Sequence, residues 1–194
     1  MPHLAAYTLE QFAADMEDLV RAHPDQGRLF ERGSAYLERF IQNPSAIPEV
    51  YQRPIGRGQR ANHGNYALFR CDGLFIAAVV WGPGDSIPAH DHRTWGMIGL
   101  LKNTIQETRY RRVDDRDRDG HARLAKDRTL FMKPGEVSLL VPHEDEIHRM
   151  DNFTDRPTVE IHVYGKDLVG LPRSMYDPAT NTVIPIAQEK FDNC

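Results

Sequence analysis

The segment Trp81-Gly-Pro-Gly84-Asp-Ser-Ile-Pro-Ala-His90-Asp-His92 indicates both how this 194-residue chain folds and what it binds. Successive side chains of a β-strand point to opposite faces, so His90 and His92 are predicted to share one face. Two imidazoles at this spacing can bind one transition metal. A third histidine from a distant strand would complete half of an octahedron and leave positions open for a substrate or dioxygen. His148, 56 residues after His92, is the candidate third ligand.

The residues around these histidines resemble the two motifs of the cupin superfamily. Gly84 is followed by five residues and then His90-Asp-His92, as in the first motif. His148 is followed by three residues and Asn152, as in the second. Two surface histidines near a turn would explain His-x-His alone but not both motifs in order. The resemblance implies a mainly β fold, a double-stranded β-helix or jelly-roll barrel with the metal inside.

The pattern along the chain agrees with a barrel preceded by helices. Thr8 followed by Gln11 fits a capping box, and apolar residues then recur at helical spacing over two segments. From about Tyr66 the pattern becomes that of strands, beginning with a hairpin at Asp72-Gly73. We predict a single domain over residues 1–194, with α-helices in 1–45 and the β-barrel in 66–185. The predicted strands are 66–71, 74–81, 86–91, 96–101, 105–110, 123–131, 136–141, 146–150, 158–164 and 181–185.

Two segments narrow the resemblance to the cysteine dioxygenase family of thiol dioxygenases. They are His90-Asp-His-Arg-Thr-Trp-Gly96 and Glu160-Ile-His-Val-Tyr-Gly165. Generic cupins carry a glutamate ligand a few residues after His-x-His, where this chain has Gly96 and Met97. Animal enzymes of the family have a cysteine near Gly96 that cross-links to the strand tyrosine, so the chain resembles the bacterial branch. Tyr164-Gly165 followed by Arg173 resembles the 3-mercaptopropionate dioxygenases within it.

This resemblance implies a set of roles. His90, His92 and His148 would bind non-haem Fe(II), and Arg173 would bind the carboxylate of a small thiol acid. Tyr164 would act at the reacting centre. The implied reaction joins both atoms of O2 to the thiol sulfur and gives a sulfinate. The alternatives are a dioxygenase for cysteine or mercaptosuccinate, and a non-catalytic cupin that senses a metal or a small acid.

The strand residues Glu160, His162 and Tyr164 are the predicted catalytic row. They alternate with β-branched residues, so all three face one way, towards the lumen if the branched residues face the shell. The alternative is an edge strand, or a bulge at Glu160, that turns the polar side chains to water. The family usually has serine at the position of Glu160. A carboxylate there would hold His162 more strongly and would add negative charge or bulk to the pocket, which bears on substrate choice.

The sequence leaves two interpretations open both for Arg173 and for the loop 56–65. Arg173 suits a carboxylate because a guanidinium donates two parallel hydrogen bonds, but it could also be a surface residue after Pro172. Arg70 lies near the family's other substrate arginine, in an uncertain register. The polar loop 56–65 is either a rim over the pocket or a plain solvated connection; its polar residues include Arg57, Gln59, Arg60, Asn62 and His63.

Composition and charge limit the classes of binding partner that we expect. The formal charge is −4 and basic residues do not cluster, so nucleic acid and anionic membranes are poor partners. No apolar run reaches the roughly 18–20 residues that span a bilayer, and no secretory signal is recognisable. Cys71 and Cys194 form no disulfide framework. We therefore expect a cytoplasmic protein whose partners are a small thiol acid and O2; the sequence leaves its oligomeric state open.

Overall fold

Two helices open the chain in the computed structural model, which describes residues 7–56, 60–188 and 190–194. Helix α1 (Leu9–Arg21) and helix α2 (Gln26–Ile41) precede two short 3₁₀ turns, Pro44–Ala46 and Glu49–Gln52. The capping box is confirmed, because Thr8 Oγ1 accepts from the Gln11 N–H at 3.2 Å and Gln11 Oε1 accepts from the Thr8 N–H at 3.0 Å. These bonds satisfy two N–H groups at the start of α1. None of the helices in these ranges combines the length and apolar character that a bilayer crossing needs.

The rest of the chain is mainly β, as predicted. The strands are β1 (His63–Cys71), β2 (Leu74–Trp81), β3 (Ser86–His90), β4 (Gly96–Lys102), β5 (Ile105–Arg112), β6 (Leu124–Met132), β7 (Val137–Leu140), β8 (His148–Asp151), β9 (Thr158–Tyr164), β10 (Arg173–Asp177) and β11 (Thr182–Ile186).

These strands form two antiparallel sheets. The order in the five-stranded sheet is β1-β2-β9-β4-β7, and in the six-stranded sheet it is β11-β10-β3-β8-β5-β6. Apolar residues from both sheets, among them Val79, Leu100, Ile105 and Met150, pack in one cluster between them. This is the two-sheet, jelly-roll architecture that the sequence predicts.

The helices cover the outer face of the five-stranded sheet. Phe12 and Phe40 stack with their ring centroids 4.6 Å apart, and they share a core with Ile161 and Val163 of β9. Gly99 on β4 permits the close approach of α2, since a Cβ there would lie 2.9 Å from Leu37 Cγ. The branched residues of β9 thus face the shell, and the polar residues of the same strand face the lumen.

The observed strands differ from the predicted ones at several ends, and three of the differences bear on the site. Strand β10 was not predicted, because it is short, mixed in character and held by pairing with the distant strands β3 and β11. Strand β1 begins at His63 rather than Tyr66. Strand β3 ends at His90 rather than at residue 91, so His92 follows the strand instead of sharing one of its faces with His90.

Candidate functional site

His90, His92 and His148 converge inside the barrel. His90 on β3 is the cross-strand partner of His148 on β8, which makes the two side chains neighbours although they are 58 positions apart. The three potential ligand atoms lie within 4.8 Å of one another. The side chains are 5%, 2% and 1% exposed, respectively. The structure therefore brings together all three residues that the sequence marks as metal ligands.

The hydrogen bonds of two rings fix which nitrogen is free. His90 Nδ1 lies 2.9 Å from the Pro88 carbonyl oxygen, and His148 Nδ1 lies 2.7 Å from Glu107 Oε1. Because these oxygens accept, both Nδ1 atoms carry the proton and both Nε2 atoms keep a lone pair. His148 Nε2 and His92 Nδ1 are buried without a hydrogen-bond partner among the described residues.

Burial also keeps the three imidazoles neutral. Desolvation lowers the pKa of His90 to about 4, and it lowers the pKa of His92 and of His148 well below the usual histidine range. Neutral imidazoles with free lone pairs are the form that binds first-row transition metals. The residues therefore fit a metal ion held by three histidines.

Two carboxylates tie the loop that carries His92 to strand β10 and to the segment between β7 and β8. Asp91 accepts from the Ser174 N–H at 2.8 Å and from the Tyr176 hydroxyl at 2.8 Å, and burial together with Asp91 raises the pKa of Tyr176 to about 12. Glu146 accepts from the His92 N–H at 3.2 Å. These contacts orient His92 although the strand has already ended.

No carboxylate takes the place of a fourth ligand on β4. Gly96 is paired with Tyr164 across the sheet, and a Cβ on Gly96 would lie 2.9 Å from Tyr164 Cδ1. Met97 points the other way, where its side chain lies against Gly33 of α2. The metal cluster among the described residues consists of the three histidines.

The polar row of β9 forms one hydrogen-bonded chain. Trp81 Nε1 donates to Glu160 Oε2 at 2.6 Å, and the same oxygen lies 3.0 Å from His162 Nε2. His162 Nδ1 lies 2.6 Å from the Tyr164 hydroxyl, and the Tyr164 ring stacks on His92 with centroids 5.2 Å apart. With Glu160 ionised, His162 donates from Nε2 and the Tyr164 hydroxyl donates to Nδ1. Burial raises the pKa of Tyr164 above its usual value, so the phenol stays protonated.

The structure excludes both alternatives for Glu160, His162 and Tyr164, namely an edge strand and a bulge that turns Glu160 to water. Strand β9 is the middle strand of its sheet rather than an edge, and Glu160 is 0% exposed. Its second oxygen, Oε1, is buried and has no hydrogen-bond partner among the described residues.

Arg173 is one of the cationic residues that line the cavity, together with Arg60 and Lys190. It is the first residue of β10, lies half-buried on the cavity wall and has a buried Nε without a partner in the described ranges. Burial lowers its pKa, and its charge acts on both His90 and Tyr164. Arg70 is elsewhere: its Nε pairs with Asp167 at 2.9 Å, and the residue does not line the cavity.

His90, His92, His162, Tyr164 and Arg173 line one cavity of about 890 Å³, whereas His148 and Glu160 are buried beside them and are not part of its lining. Arg60 and His63 also line it, so the loop that precedes β1 contributes to its rim, as one of the two interpretations expects. Arg57 and Gln59 of that loop lie outside the described residues. His63 bonds Asp85 at 2.7 Å and meets the Trp81 ring edge to face. Phe191 and Asp192, near the C-terminus, also line the cavity, and Asp192 accepts a hydrogen bond from the Asn65 N–H of β1 at 2.7 Å.

Sequence reasoning missed a buried polar cluster behind His148. Glu107 and Arg109, on the lumen side of β5, are 0% and 1% exposed, and Ser138 of β7 joins them. The available signal was two charged residues spaced two apart within a predicted strand. On a strand with one buried face, that spacing places both charges on the same side.

No known protein-family profile matches the chain. Among solved structures it is similar to the DMSP lyase DddQ from Ruegeria pomeroyi, at 18% identity and a TM-score of 0.41 over 56% of this chain and 49% of that one. An oxalate oxidase in complex with glycolate matches at 12% identity and a TM-score of 0.46, over 64% of this chain and 60% of that one. The cupin domain of Cnp3 from Schizosaccharomyces pombe matches at 13% identity and 0.42, over 55% and 66%. The chain thus spans about half to two thirds of these proteins.

Proposed function

We propose that this protein is a non-haem Fe(II) thiol dioxygenase that converts a small carboxylate-bearing thiol, such as 3-mercaptopropionate, into its sulfinate. The observation that carries this proposal is a cluster of three neutral histidines without a carboxylate ligand, two of which, His90 and His92, line the same cavity as Arg173, a cation without an ion-pair partner among the described residues. The reaction adds O2 to RSH and gives RSO2H. Sulfur is oxidised by four electrons and O2 accepts them, so no outside reductant is needed.

The charge of the site favours an anionic sulfur ligand. Neutral histidines leave the two positive charges of Fe(II) uncompensated, and burial makes such a charge costly. A thiolate substrate supplies the negative charge that a carboxylate ligand would have supplied. Iron bound at His90, His92 and His148 would supply the redox chemistry that joins O2 to sulfur.

Arg173 would hold the far end of the substrate. Its guanidinium faces the cavity and can donate two parallel hydrogen bonds to a carboxylate. A carboxylate at this position would fix the thiol end of a short molecule relative to His90 and His92, which face the same cavity as Arg173 and whose pKa values its charge lowers. Orientation of this kind lowers the barrier of the chemical step.

The β9 row would manage the proton of the thiol. The Tyr164 oxygen can accept a hydrogen bond from the entering thiol while its own proton is held by His162 Nδ1. A proton passed along this route reaches His162, where Glu160 stabilises the resulting positive charge. Tyr164 then remains as a neutral hydrogen-bond donor to the reacting oxygen or sulfur.

The direct test is oxygen uptake by protein loaded anaerobically with Fe(II). A panel of 3-mercaptopropionate, cysteine, mercaptosuccinate and 2-mercaptoethanol would be offered, and the sulfinate would be quantified against the oxygen consumed. We expect one sulfinate per O2 and a preference for the thiol acids. Preference for cysteine or mercaptosuccinate would correct the substrate but keep the reaction. Thiol binding without oxygen consumption would overturn the proposal and indicate a sensor; protein with His148→Ala is the matched blank.

A further inference from the structure

The Nδ1 atoms of the three histidines differ in their hydrogen-bond partners. His148 Nδ1 donates to the Glu107 carboxylate at 2.7 Å, whereas His90 Nδ1 donates to the neutral Pro88 carbonyl at 2.9 Å. His92 Nδ1 has no partner among the described residues. A carboxylate acceptor withdraws the ring proton more than a carbonyl does, and so makes the opposite nitrogen a stronger donor to a metal.

The position of Glu107 follows from the pairing of β5 with β8. Arg109 lies directly opposite His148 and Glu107 lies opposite Met150, so Glu107 is the diagonal neighbour of His148 on the lumen face. A long side chain reaches across this diagonal. Both partners are fully buried, at 0% and 1% side-chain exposure, so water does not compete for the bond.

Glu107 is itself fixed on both oxygens. Ser138 Oγ donates to Oε2 at 2.6 Å, and Arg109 Nη2 lies 2.9 Å from Oε1. Arg109 in turn donates to the backbone carbonyls of Asp145 at 2.7 Å and Leu139 at 2.8 Å. The carboxylate therefore has one orientation, and Arg109 offsets the cost of burying its charge.

We propose that Glu107 is a positioning residue for the metal centre: held by Arg109 and Ser138, it fixes the tautomer and orientation of His148 and makes it the strongest of the three imidazole donors. The carboxylate that is missing from the metal ligands is thus present one hydrogen bond further out. This inference rests on the three-histidine metal site of the proposed function but not on its thiol chemistry.

The test is metal binding in the absence of any thiol. Metal-free wild type and Glu107→Gln would be titrated with Co(II) under nitrogen, with the Kd measured by chelator competition and the visible Co(II) absorption bands recorded. Loss of a partner of this kind typically weakens metal affinity about 10- to 100-fold, and we expect a loss in that range together with shifted bands. Asp151→Asn is the matched control, because it breaks an ion pair with Arg149 on the same strand as His148 without touching His148.

Wild-type Kd and wild-type bands in folded Glu107→Gln would overturn the inference and leave Glu107 as a structural residue only. An equal loss in Asp151→Asn would overturn it as well, since the effect would then belong to the sheet. If Glu107→Gln fails to fold, Ser138→Ala decides, because it keeps the charge and removes one anchor of Glu107. We expect it to weaken Co(II) binding by less than tenfold and to shift the same bands; an unchanged Kd and spectrum would again overturn the inference. A protein that binds Co(II) as expected but oxidises no thiol would contradict the proposed function alone.

Discussion

Strands β9 and β5 each carry a row of polar side chains into the barrel, and the two rows end differently. On β9, Glu160 and His162 lead to Tyr164, which lines the cavity. On β5, Glu107 and Arg109 are enclosed and lead to His148 and to backbone carbonyls. The β9 row can exchange a proton or hydrogen bond with a bound molecule, whereas the β5 row can only hold a protein side chain in place.

This difference indicates that the role of a buried row of polar side chains depends on the group at its end. Side chains in a row that ends at a cavity can contact a bound ligand. Side chains in a row that ends at a candidate metal ligand can orient that ligand. Changes in the polar row of β9 should therefore alter turnover at constant metal content. Changes around the six-stranded sheet should alter metal binding first, with Arg173, which faces the cavity, as the exception.

The largest effect is expected when a ligand is removed. His148→Ala should lose metal affinity by more than the roughly 100-fold that loss of an outer partner can cause, and oxygen uptake should vanish with it; His90→Ala and His92→Ala should behave alike. Iron content by elemental analysis and oxygen electrode traces measure both quantities. His121→Ala, outside the cavity, is the control. Stoichiometric iron with normal turnover in any of the three variants would remove that residue from the site.

Acid should destabilise the metal-free protein through the same three histidines. An unfolded histidine takes up a proton near pH 6.5, whereas burial holds the pKa of folded His90 at about 4, so between these values acid favours the unfolded chain. His90 alone accounts for a loss of about 3 kcal/mol across that window. Urea unfolding at several pH values measures it. His90→Gln should flatten the dependence, and an equally steep profile in that variant would contradict the assignment. Tyr164, with its raised pKa, does not titrate in this window.

Removal of the Arg173 guanidinium should raise KM for carboxylate-bearing thiols but not for neutral-ended ones. A charge-assisted bidentate contact is worth roughly 2–3 kcal/mol, so Arg173→Ala should raise KM for carboxylate-bearing thiols by about 30- to 150-fold. KM for neutral-ended 2-mercaptoethanol should change little. Arg70→Ala, outside the cavity, should leave both values unchanged. Equal losses on the two kinds of thiol would show that Arg173 does not bind the carboxylate.

The role of the Tyr164 hydroxyl, at the end of the β9 row, can be tested by removing its single oxygen atom. Tyr164→Phe keeps the ring that stacks on His92 and removes only the hydroxyl that meets His162. A hydrogen bond of about 1–1.5 kcal/mol predicts a 5- to 10-fold lower kcat, or oxygen uptake uncoupled from sulfinate formation, at unchanged iron content. Tyr36→Phe on α2 is the control. Wild-type rate and coupling would show that Tyr164 is only a wall residue.

The smallest effect is expected at the far end of the row. Glu160→Ser should keep iron and should lower kcat by less than Tyr164→Phe does, because His162 keeps its bond to Tyr164. It should also change the ranking of thiol substrates, since it removes a buried negative charge next to His162, which lines the cavity. Trp81 loses its acceptor, so its fluorescence should change as well. Unchanged fluorescence and substrate ranking would mean that Glu160 has no part in the site.

Much of this site could be predicted because its signals are local. The His-x-His spacing, the alternation of β9 and the capping box at Thr8 each involve residues a few positions apart. Strand β10 and the role of Glu107 depend on pairing between distant segments, which spacing does not reveal. The orientation of His92 likewise depends on Asp91 and Glu146, whose contacts lie 54 or more positions away along the chain.

The pairing of Gly96 with Tyr164 bears on whether Tyr164 can be covalently modified after folding. A tyrosine joined to a neighbouring side chain has to be made by chemistry after folding, so young and old copies of such a protein differ. Gly96 offers no side-chain atom for a bond, and the Tyr164 ring occupies the space where one would lie. A side-chain bond between position 96 and Tyr164 therefore cannot form at any time after folding.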